Sequence, residues 1–358
     1  MHDMLMYFQE HGAMRVSDLH VKVGAPPAYR IDGNLVKLKG PPVTTQMAER
    51  LIYPFLTKEN MAKLKANYSV DCSYRMGNLQ FRINIFQEND GLAAAIRALS
   101  LDIPQVEDIG FPNDVWKDII ERNHGLVLMT GITGAGKSTT IASMIQRISE
   151  KSACRIMTVE DPIEYIFRQK YSIISQREVG RDVQTFHGGL KEMLRQDPDI
   201  IFVGEMRDTE TIAMTLMAAE TGHLVFSTLH TRDVTGTVTR ILDYFPEGRQ
   251  AEVRNQLSLG LAYIICQKLV PKKDGTGRIV AMEILNNNYA CANLIRTGKI
   301  EQLYSQLQTK TQNKPDEKMI ALEKHLAILV KDNKIDLLEA KLWANNIKTF
   351  TDCMQQYS

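Results

Sequence analysis

The feature that most constrains the fold is the segment GITGAGKS, residues 131–138. It fits G-x-x-x-x-G-K-[ST], the pattern of loops that bind nucleotide phosphates. An apolar run of strand length, 125–130, precedes it, and a segment of helical character, 139–145, follows it. Strand, glycine loop and helix therefore occur in the order that a nucleotide-binding α/β domain requires.

The chemistry explains these residue types. Gly131, Gly134 and Gly136 can adopt backbone conformations that turn successive N–H groups around a phosphate chain at the positive end of a helix. Lys137 adds a charge for the β- and γ-phosphates, and the Ser138 hydroxyl is placed to bind Mg²⁺. The alternative is a glycine turn followed by an exposed lysine. The predicted nucleotide-binding residues are Gly131, Ile132, Thr133, Gly134, Ala135, Gly136, Lys137, Ser138 and Thr139.

Composition argues against several other classes of protein. Lys and Arg total 43 against 42 Asp and Glu, so no charge excess indicates a nucleic-acid or membrane partner. The five cysteines form no C-x-x-C pair, which argues against a zinc site or a disulfide framework. Neither a secretion signal nor an apolar run of membrane-spanning length is apparent. We expect a cytoplasmic protein without direct membrane insertion.

The pattern of apolar residues predicts three structural regions and one linker. Residues 1–103 predict a small α+β domain with an antiparallel sheet, including a hairpin that turns at Asp32-Gly33. Residues 104–112, which contain two prolines, predict a linker. Continuous apolar runs alternate with helical segments in 113–288 and predict a mostly parallel α/β core. Residues 289–358 predict a helical C-terminal subdomain, interrupted near 313–315.

Three further stretches place acidic or imidazole groups just after predicted strands of the core. They contain Glu160, Asp161 and Glu164, then Glu205, then His230. The carboxyl ends of parallel strands lie at one edge of a sheet, where α/β proteins bind ligands. A carboxylate there can deprotonate water or hold the water ligands of Mg²⁺. The alternatives are a solvated turn, a coincidental strand-end glutamate and a packed core histidine.

Four segments carry a resemblance to a known family: 131–138, 159–164, 203–208 and 221–231. They resemble, in this order, the Walker A, Asp box, Walker B and His box of the secretion ATPases. The resemblance is strongest to the PilT/PilU branch, the type IV pilus retraction motors. It extends to residues 17–20, 175–180 and 292–300, and so covers nearly the whole chain.

The resemblance implies a PAS-like N-terminal domain, a RecA-like P-loop ATPase domain with a helical C-terminal subdomain, and ATP and Mg²⁺ as cofactors. It assigns phosphate and Mg²⁺ binding to Lys137 and Ser138. Glu164 would be the catalytic carboxylate, Glu205 would support the metal and its water, and His230 would approach the γ-phosphate.

Two arginines outside the core complete the implied site. Arg82 and Arg97 lie on predicted N-terminal strands that match the arginine-bearing segments of the family. They would supply positive charge to the nucleotide. The alternative is that both are surface arginines on an exposed face of the sheet.

The implied activity is ATP hydrolysis in a homo-hexamer, coupled to pilin disassembly, pilus retraction and twitching-type motility. The implied partners are an inner-membrane pilus platform protein and a paralogous retraction or extension ATPase, at the cytoplasmic side of the inner membrane. Alternative functions are an accessory PilU-like or type IVb retraction ATPase, a nucleotide-gated regulator of another motor, and a nucleic-acid translocase. Extension motors of the family usually carry an added N-terminal domain and a cysteine-based metal insertion, and neither is expected here.

Overall fold

The computed structural model describes residues 1–11, 16–31, 34–77, 79–100, 102–313 and 317–356. By its contacts, the chain divides into two compact units, 1–103 and 104–358.

The described residues of the N-terminal unit form one six-stranded sheet and three α-helices. In chain order these are α1 (His2–His11), β1 (Val16–Lys22), β2 (Ala28–Ile31), β3 (Asn34–Lys37), α2 (Thr45–Ile52), α3 (Lys58–Asn67), β4 (Ser69–Met76), β5 (Leu79–Glu88) and β6 (Gly91–Ser100). The strand order is β3-β2-β1-β6-β5-β4, and every neighbouring pair is antiparallel. The predicted α+β architecture is confirmed.

Alternation along the strands decides which side chains enter the core of this unit. In β5, Phe81, Ile83 and Ile85 are fully buried, whereas Arg82 between them is exposed. The predicted hairpin is formed by β2 and β3, which pair from Ile31 with Asn34 outward. Its predicted turn at residues 32–33 lies outside the described residues.

The second unit, which we call the ATPase unit after the resemblance of its motifs, contains a seven-stranded sheet flanked by helices. Its elements are α4 (Val115–Ile120), β7 (Gly125–Thr130), α5 (Lys137–Lys151), β8 (Arg155–Glu160), β9 (Ile173–Glu178), α6 (Phe186–Met193), β10 (Ile200–Val203), α7 (Thr209–Glu220), β11 (Leu224–Leu229), α8 (Val234–Asp243), α9 (Glu247–Gly260), β12 (Leu261–Pro271), β13 (Arg278–Asn286), α10 (Tyr289–Arg296), α11 (Gln302–Asn313), α12 (Leu322–Lys331), α13 (Leu337–Trp343) and α14 (Ile347–Gln355).

The strand order of this sheet is β13-β12-β7-β11-β10-β8-β9. All neighbours are parallel except β12 and β13, which are antiparallel. Every residue of β7, β10 and β11 is buried, because helices cover both faces of the sheet. The predicted α/β core with C-terminal helices is confirmed.

Strands β12 and β13 were not predicted from the sequence. Two consecutive polar residues, Gln267 and Lys268, interrupt the apolar run of β12 and obscure its strand character. In the structure β12 pairs with β7, with Cys266 opposite Thr130. This pairing carries Gln267 to the level of the glycine loop.

The segments at either end of the ATPase unit pack onto it. In the predicted linker 104–112, Val106 is buried and Glu107 forms an ion pair with Arg147 of α5. In the C-terminal region, α12 packs against β13 and α14. Of the predicted interruption near 313–315, Asn313 is the last residue of α11, and residues 314–315 lie outside the described residues. None of the described helices has the length and hydropathy that a membrane-spanning helix requires.

Candidate nucleotide-binding and catalytic site

The glycine loop connects the interior strand β7 to the N-terminus of α5. Its three glycines all have positive φ angles, 145° at Gly131, 78° at Gly134 and 85° at Gly136. Gly136 is also the N-cap of α5, so Lys137 is the first helical residue. The unpaired N–H groups at the start of a helix favour negative charge, so this loop has the backbone features that a phosphate site requires.

Lys137 folds back over the loop. It is only 8% exposed, and its Nζ donates to the carbonyl oxygens of Gly131 at 2.9 Å and Ile132 at 3.2 Å. Burial lowers the pKa of Lys137, and the negative charges of Glu205 and Glu164 oppose this change. These carboxylates are therefore near enough to the ammonium group to act on it electrostatically. This contradicts the alternative of an exposed lysine.

The first turn of α5 carries the other two predicted loop residues. Ser138 is half-buried beside Lys137, and the Thr139 hydroxyl is hydrogen bonded to the Tyr165 hydroxyl at 2.8 Å. Tyr165 follows Glu164 directly, so this contact ties the Asp box to the glycine loop. It is a local reason for Glu164 to lie within electrostatic range of Lys137.

The two glutamates of the Asp box occupy different environments. Glu160 is 5% exposed, and its Oε1 accepts hydrogen bonds from Thr158 at 2.7 Å and from Gln176 Nε2 at 3.3 Å. Burial raises the pKa of Glu160 to about 7. Glu164 is exposed at the carboxyl edge of the sheet. A solvent-facing carboxylate can reach a water molecule, whereas Glu160 is engaged inside the fold.

Glu205 joins the Walker B and His box segments. Its Oε1 lies 3.2 Å from Nε2 of His230, and its Oε2 accepts a hydrogen bond from Arg207 Nε at 2.8 Å. The Arg207 Nη1 reaches Asp161 Oδ2 at 3.3 Å. Arg207 thus connects the ends of β8 and β10, and Glu205 connects those of β10 and β11. The structure contradicts the alternative that His230 is a packed core residue, because its side chain is 43% exposed.

The donor set suits Mg²⁺ held largely by phosphates and water. The described residues contain no cluster of three or more His, Cys, Asp or Glu side chains that could enclose a metal ion. Mg²⁺ in nucleotide sites needs only one or two protein oxygens, since substrate phosphates and waters supply the others. Ser138, in the first turn of α5, and Glu205, whose charge acts on the adjacent Lys137, carry oxygens that fit that requirement.

Arg82 and Arg97 belong to the N-terminal unit. They are cross-strand neighbours on β5 and β6. Arg97 is 60% exposed, and its Nε donates to Asp18 Oδ1 at 2.8 Å. The structure therefore brings Lys137, Glu164, Glu205 and His230 together within one unit, while the approach of the two arginines to a nucleotide stays a prediction.

Sequence profiles agree with this geometry. The chain matches the profile of the family described as "Type II/IV secretion system protein" over residues 7–324. It belongs to this family. The matched segment covers most of the N-terminal unit and most of the ATPase unit, including all four motifs.

Individual relatives place the chain among the PilT-type secretion ATPases. It is 41% identical over 308 residues to the type IV pilus retraction ATPase PilT of Pseudomonas aeruginosa, covering 86% of this chain and 88% of that protein. It is 42% identical over 284 residues to the twitching motility protein of Neisseria gonorrhoeae, covering 79% and 76%. The crystal structure of the pilus retraction motor PilT with bound ADP superposes with a TM-score of 0.87 at 43% identity, covering 97% of this chain and 98% of the other.

Two residues of this PilT-type site were not predicted from the sequence. Arg207 stands two positions after the Walker B glutamate, and that spacing from a strand-end acid is the signal that could have identified it. Gln267 gave no comparable signal, because it lies far from the loop in sequence on a strand that was itself missed. Its Nε2 donates to the carbonyl of Ala135 at 2.7 Å.

Proposed function

We propose that this protein is an ATP hydrolase that works as a homo-hexameric motor and drives type IV pilus retraction. The observation that carries the proposal is the meeting of the buried Lys137, the exposed Glu164 and the Glu205–His230 pair at one edge of the sheet. The 41% identity to a pilus retraction ATPase supports the assignment of the cargo.

The glycine loop binds the phosphates of ATP. Its N–H groups and the positive end of α5 offset their charge, and Lys137 exchanges its two loop carbonyl partners for phosphate oxygens. Ser138 and Glu205 would hold Mg²⁺, Ser138 with its hydroxyl and Glu205 by supporting the metal and its water. When bound, the metal would neutralise charge that develops on the transferred phosphoryl group.

Glu164 activates the attacking water. As the exposed carboxylate of the Asp box it accepts a proton from water that is in line with the γ-phosphate. His230, which contacts Glu205, lies at the end of the adjacent strand and approaches the γ-phosphate. Arg82 and Arg97 supply further positive charge as the leaving group forms.

A retraction motor needs partners at the place in the cell where it acts. We propose action at the cytoplasmic side of the inner membrane on a pilus platform protein, together with a paralogous retraction or extension ATPase. We expect no nucleic-acid partner, since the net charge of the chain is only +1, and no direct insertion into the membrane.

Gene deletion followed by complementation tests the proposal. Deletion should leave many surface pili that do not retract, and wild-type protein should restore twitching motility. Complementation with Lys137→Ala should fail although the variant folds, as judged by circular dichroism. Loss of pili on deletion would indicate an extension motor, and full rescue by Lys137→Ala would indicate a role that needs no ATP turnover.

A further inference from the structure

Gln267 is a buried polar residue beside the glycine loop. It lies on β12, one position beyond the Cys266 that pairs with Thr130, and is 1% exposed. Hydrogen bonds usually account for a buried amide, so its partners indicate why a glutamine stands here.

Both ends of the Gln267 amide contact the nucleotide-binding segment. Nε2 donates to the carbonyl of Ala135 at 2.7 Å, and Oε1 accepts from the Thr140 hydroxyl at 2.9 Å. Ala135 lies in the loop and Thr140 in the first turns of α5. One rigid planar group therefore fixes the loop relative to the helix that follows it.

The direction of the Ala135 carbonyl determines the direction of the next N–H group. In a trans peptide the C=O and the following N–H point to opposite sides. Because Gln267 holds the Ala135 oxygen towards β12, the N–H of Gly136 points away from β12. An N–H group in that orientation is available to a phosphate at the loop.

We propose that Gln267 is a positioning residue that preorganises the phosphate-binding loop. Its amide keeps the Ala135–Gly136 peptide in the orientation that binds phosphate before nucleotide arrives. This inference rests on the proposed ATP-binding function. A loop without this anchor must be ordered by the nucleotide, and that ordering reduces affinity.

The test variant is Gln267→Met, which keeps the length of the side chain and removes both hydrogen bonds. We expect the Kd for a fluorescent ADP analogue to rise about tenfold, the usual order for one or two lost hydrogen bonds. The KM for ATP should rise in parallel, while kcat at saturating ATP stays within about twofold, because the loss affects ground and transition states alike.

Gln146→Met is the matched control. Gln146 is also a buried glutamine of the ATPase unit, on α5, and its amide makes two backbone hydrogen bonds with Arg168, at 3.0 and 3.2 Å. Its replacement removes the same number of hydrogen bonds from a buried glutamine without touching the loop. We expect a comparable loss of resistance to urea and an unchanged Kd for the ADP analogue.

Hydrogen exchange provides a second measurement on nucleotide-free protein. Amides of residues 134–137 should exchange faster in Gln267→Met than in wild type, and saturating ADP should remove much of the difference. If Gln267→Met does not fold, Gln267→Asn keeps the amide but withdraws it by one methylene, and it should raise the Kd in the same way.

Three results would overturn the inference: an unchanged Kd in Gln267→Met, unchanged exchange of the loop amides, or an equal loss of affinity in Gln146→Met. Failure of the proposed function gives a different result. In that case wild-type protein would bind no ADP analogue, or Lys137→Ala would bind it as tightly as wild type.

Discussion

The three loop glycines should differ in their tolerance of alanine, because each would place a Cβ in different surroundings. At Gly131 the added Cβ would lie 2.4 Å from the backbone oxygen of Gln267 and 3.1 Å from the Ala135 Cβ. At Gly136 it would lie 2.8 Å from Gln267 Nε2. At Gly134 it would meet no atom within 4 Å.

These distances set the order of the expected losses in free energy of unfolding. A positive φ costs an alanine about 1–2 kcal/mol at each position. Gly134→Ala should lose no more than this. Gly131→Ala adds a collision with fixed backbone, and overpacking typically costs a further ~1–3 kcal/mol, which gives a total of about 2–5 kcal/mol. Gly136→Ala should fall between the two, since a side chain can move away.

Tryptophan fluorescence during urea unfolding measures the free energy of unfolding of the ATPase unit in each variant. The chain contains two tryptophans, Trp116 and Trp343, and both belong to the ATPase unit. Gly134→Ala is the internal control, because it has the same positive φ and no steric contact. Equal losses in all three variants, or a greater loss at Gly134 than at Gly131, would refute the steric argument.

A double-mutant cycle separates backbone from side-chain collisions. Adding Gln267→Ala should relieve part of the loss in Gly136→Ala, since the colliding atom is removed, with a coupling of about 0.5–3 kcal/mol. The same change should bring no relief to Gly131→Ala, because its collision is with the backbone oxygen of residue 267. Relief in both cycles would show that β12 itself moves.

The remaining predictions concern catalysis and pH. Glu164→Gln should retain ATP binding and lose hydrolysis by roughly 10²-fold or more, as expected for a positioned general base. If Glu164→Gln hydrolysed ATP normally and Glu160→Gln did not, Glu160 would be the base instead. Arg97→Ala should lower hydrolysis and largely preserve ATP binding, whereas exposed Arg75→Ala on the same sheet should not, and equal effects would argue for a general role of surface charge. Burial lowers the pKa of His325 to about 4, so the stability that neutral His325 contributes should be lost as pH drops from 6.5 towards 4, by up to about 3 kcal/mol. The difference in pH dependence between wild type and His325→Gln in urea titrations measures this contribution.

Much of the fold was predictable because its strands have distinct patterns. β7, β10 and β11 are continuous apolar runs, the sequence pattern typical of strands that are covered on both faces. β5 alternates, with Phe81 buried and Arg82 exposed, as expected of a sheet with one solvated face. β12 fits neither pattern. Its polar residue Gln267 faces the glycine loop, and Lys268 faces the C-terminal helices.

The environments of the site residues were less predictable than their presence. The sequence places three carboxylates in the Asp box, but spacing alone does not distinguish the buried Glu160 from the exposed Glu164. The difference arises from tertiary contacts, because Glu160 is the last residue of a buried strand and bonds to Gln176 on the neighbouring β9. The Asp18–Arg97 pair likewise joins residues 79 positions apart.

The glycine loop shows how a motif can have two physical causes. Phosphate binding explains why the loop must turn its N–H groups inward, and this requirement applies to all three glycines. The neighbouring strand explains why a Cβ is excluded at Gly131 and crowded at Gly136, since both positions face Gln267. Gly134 has no such neighbour. The backbone oxygen of Gln267 thus excludes a side chain at Gly131, and the amide of Gln267 orients the peptide that follows Ala135. β12 therefore belongs to the nucleotide site although it carries none of the four motifs.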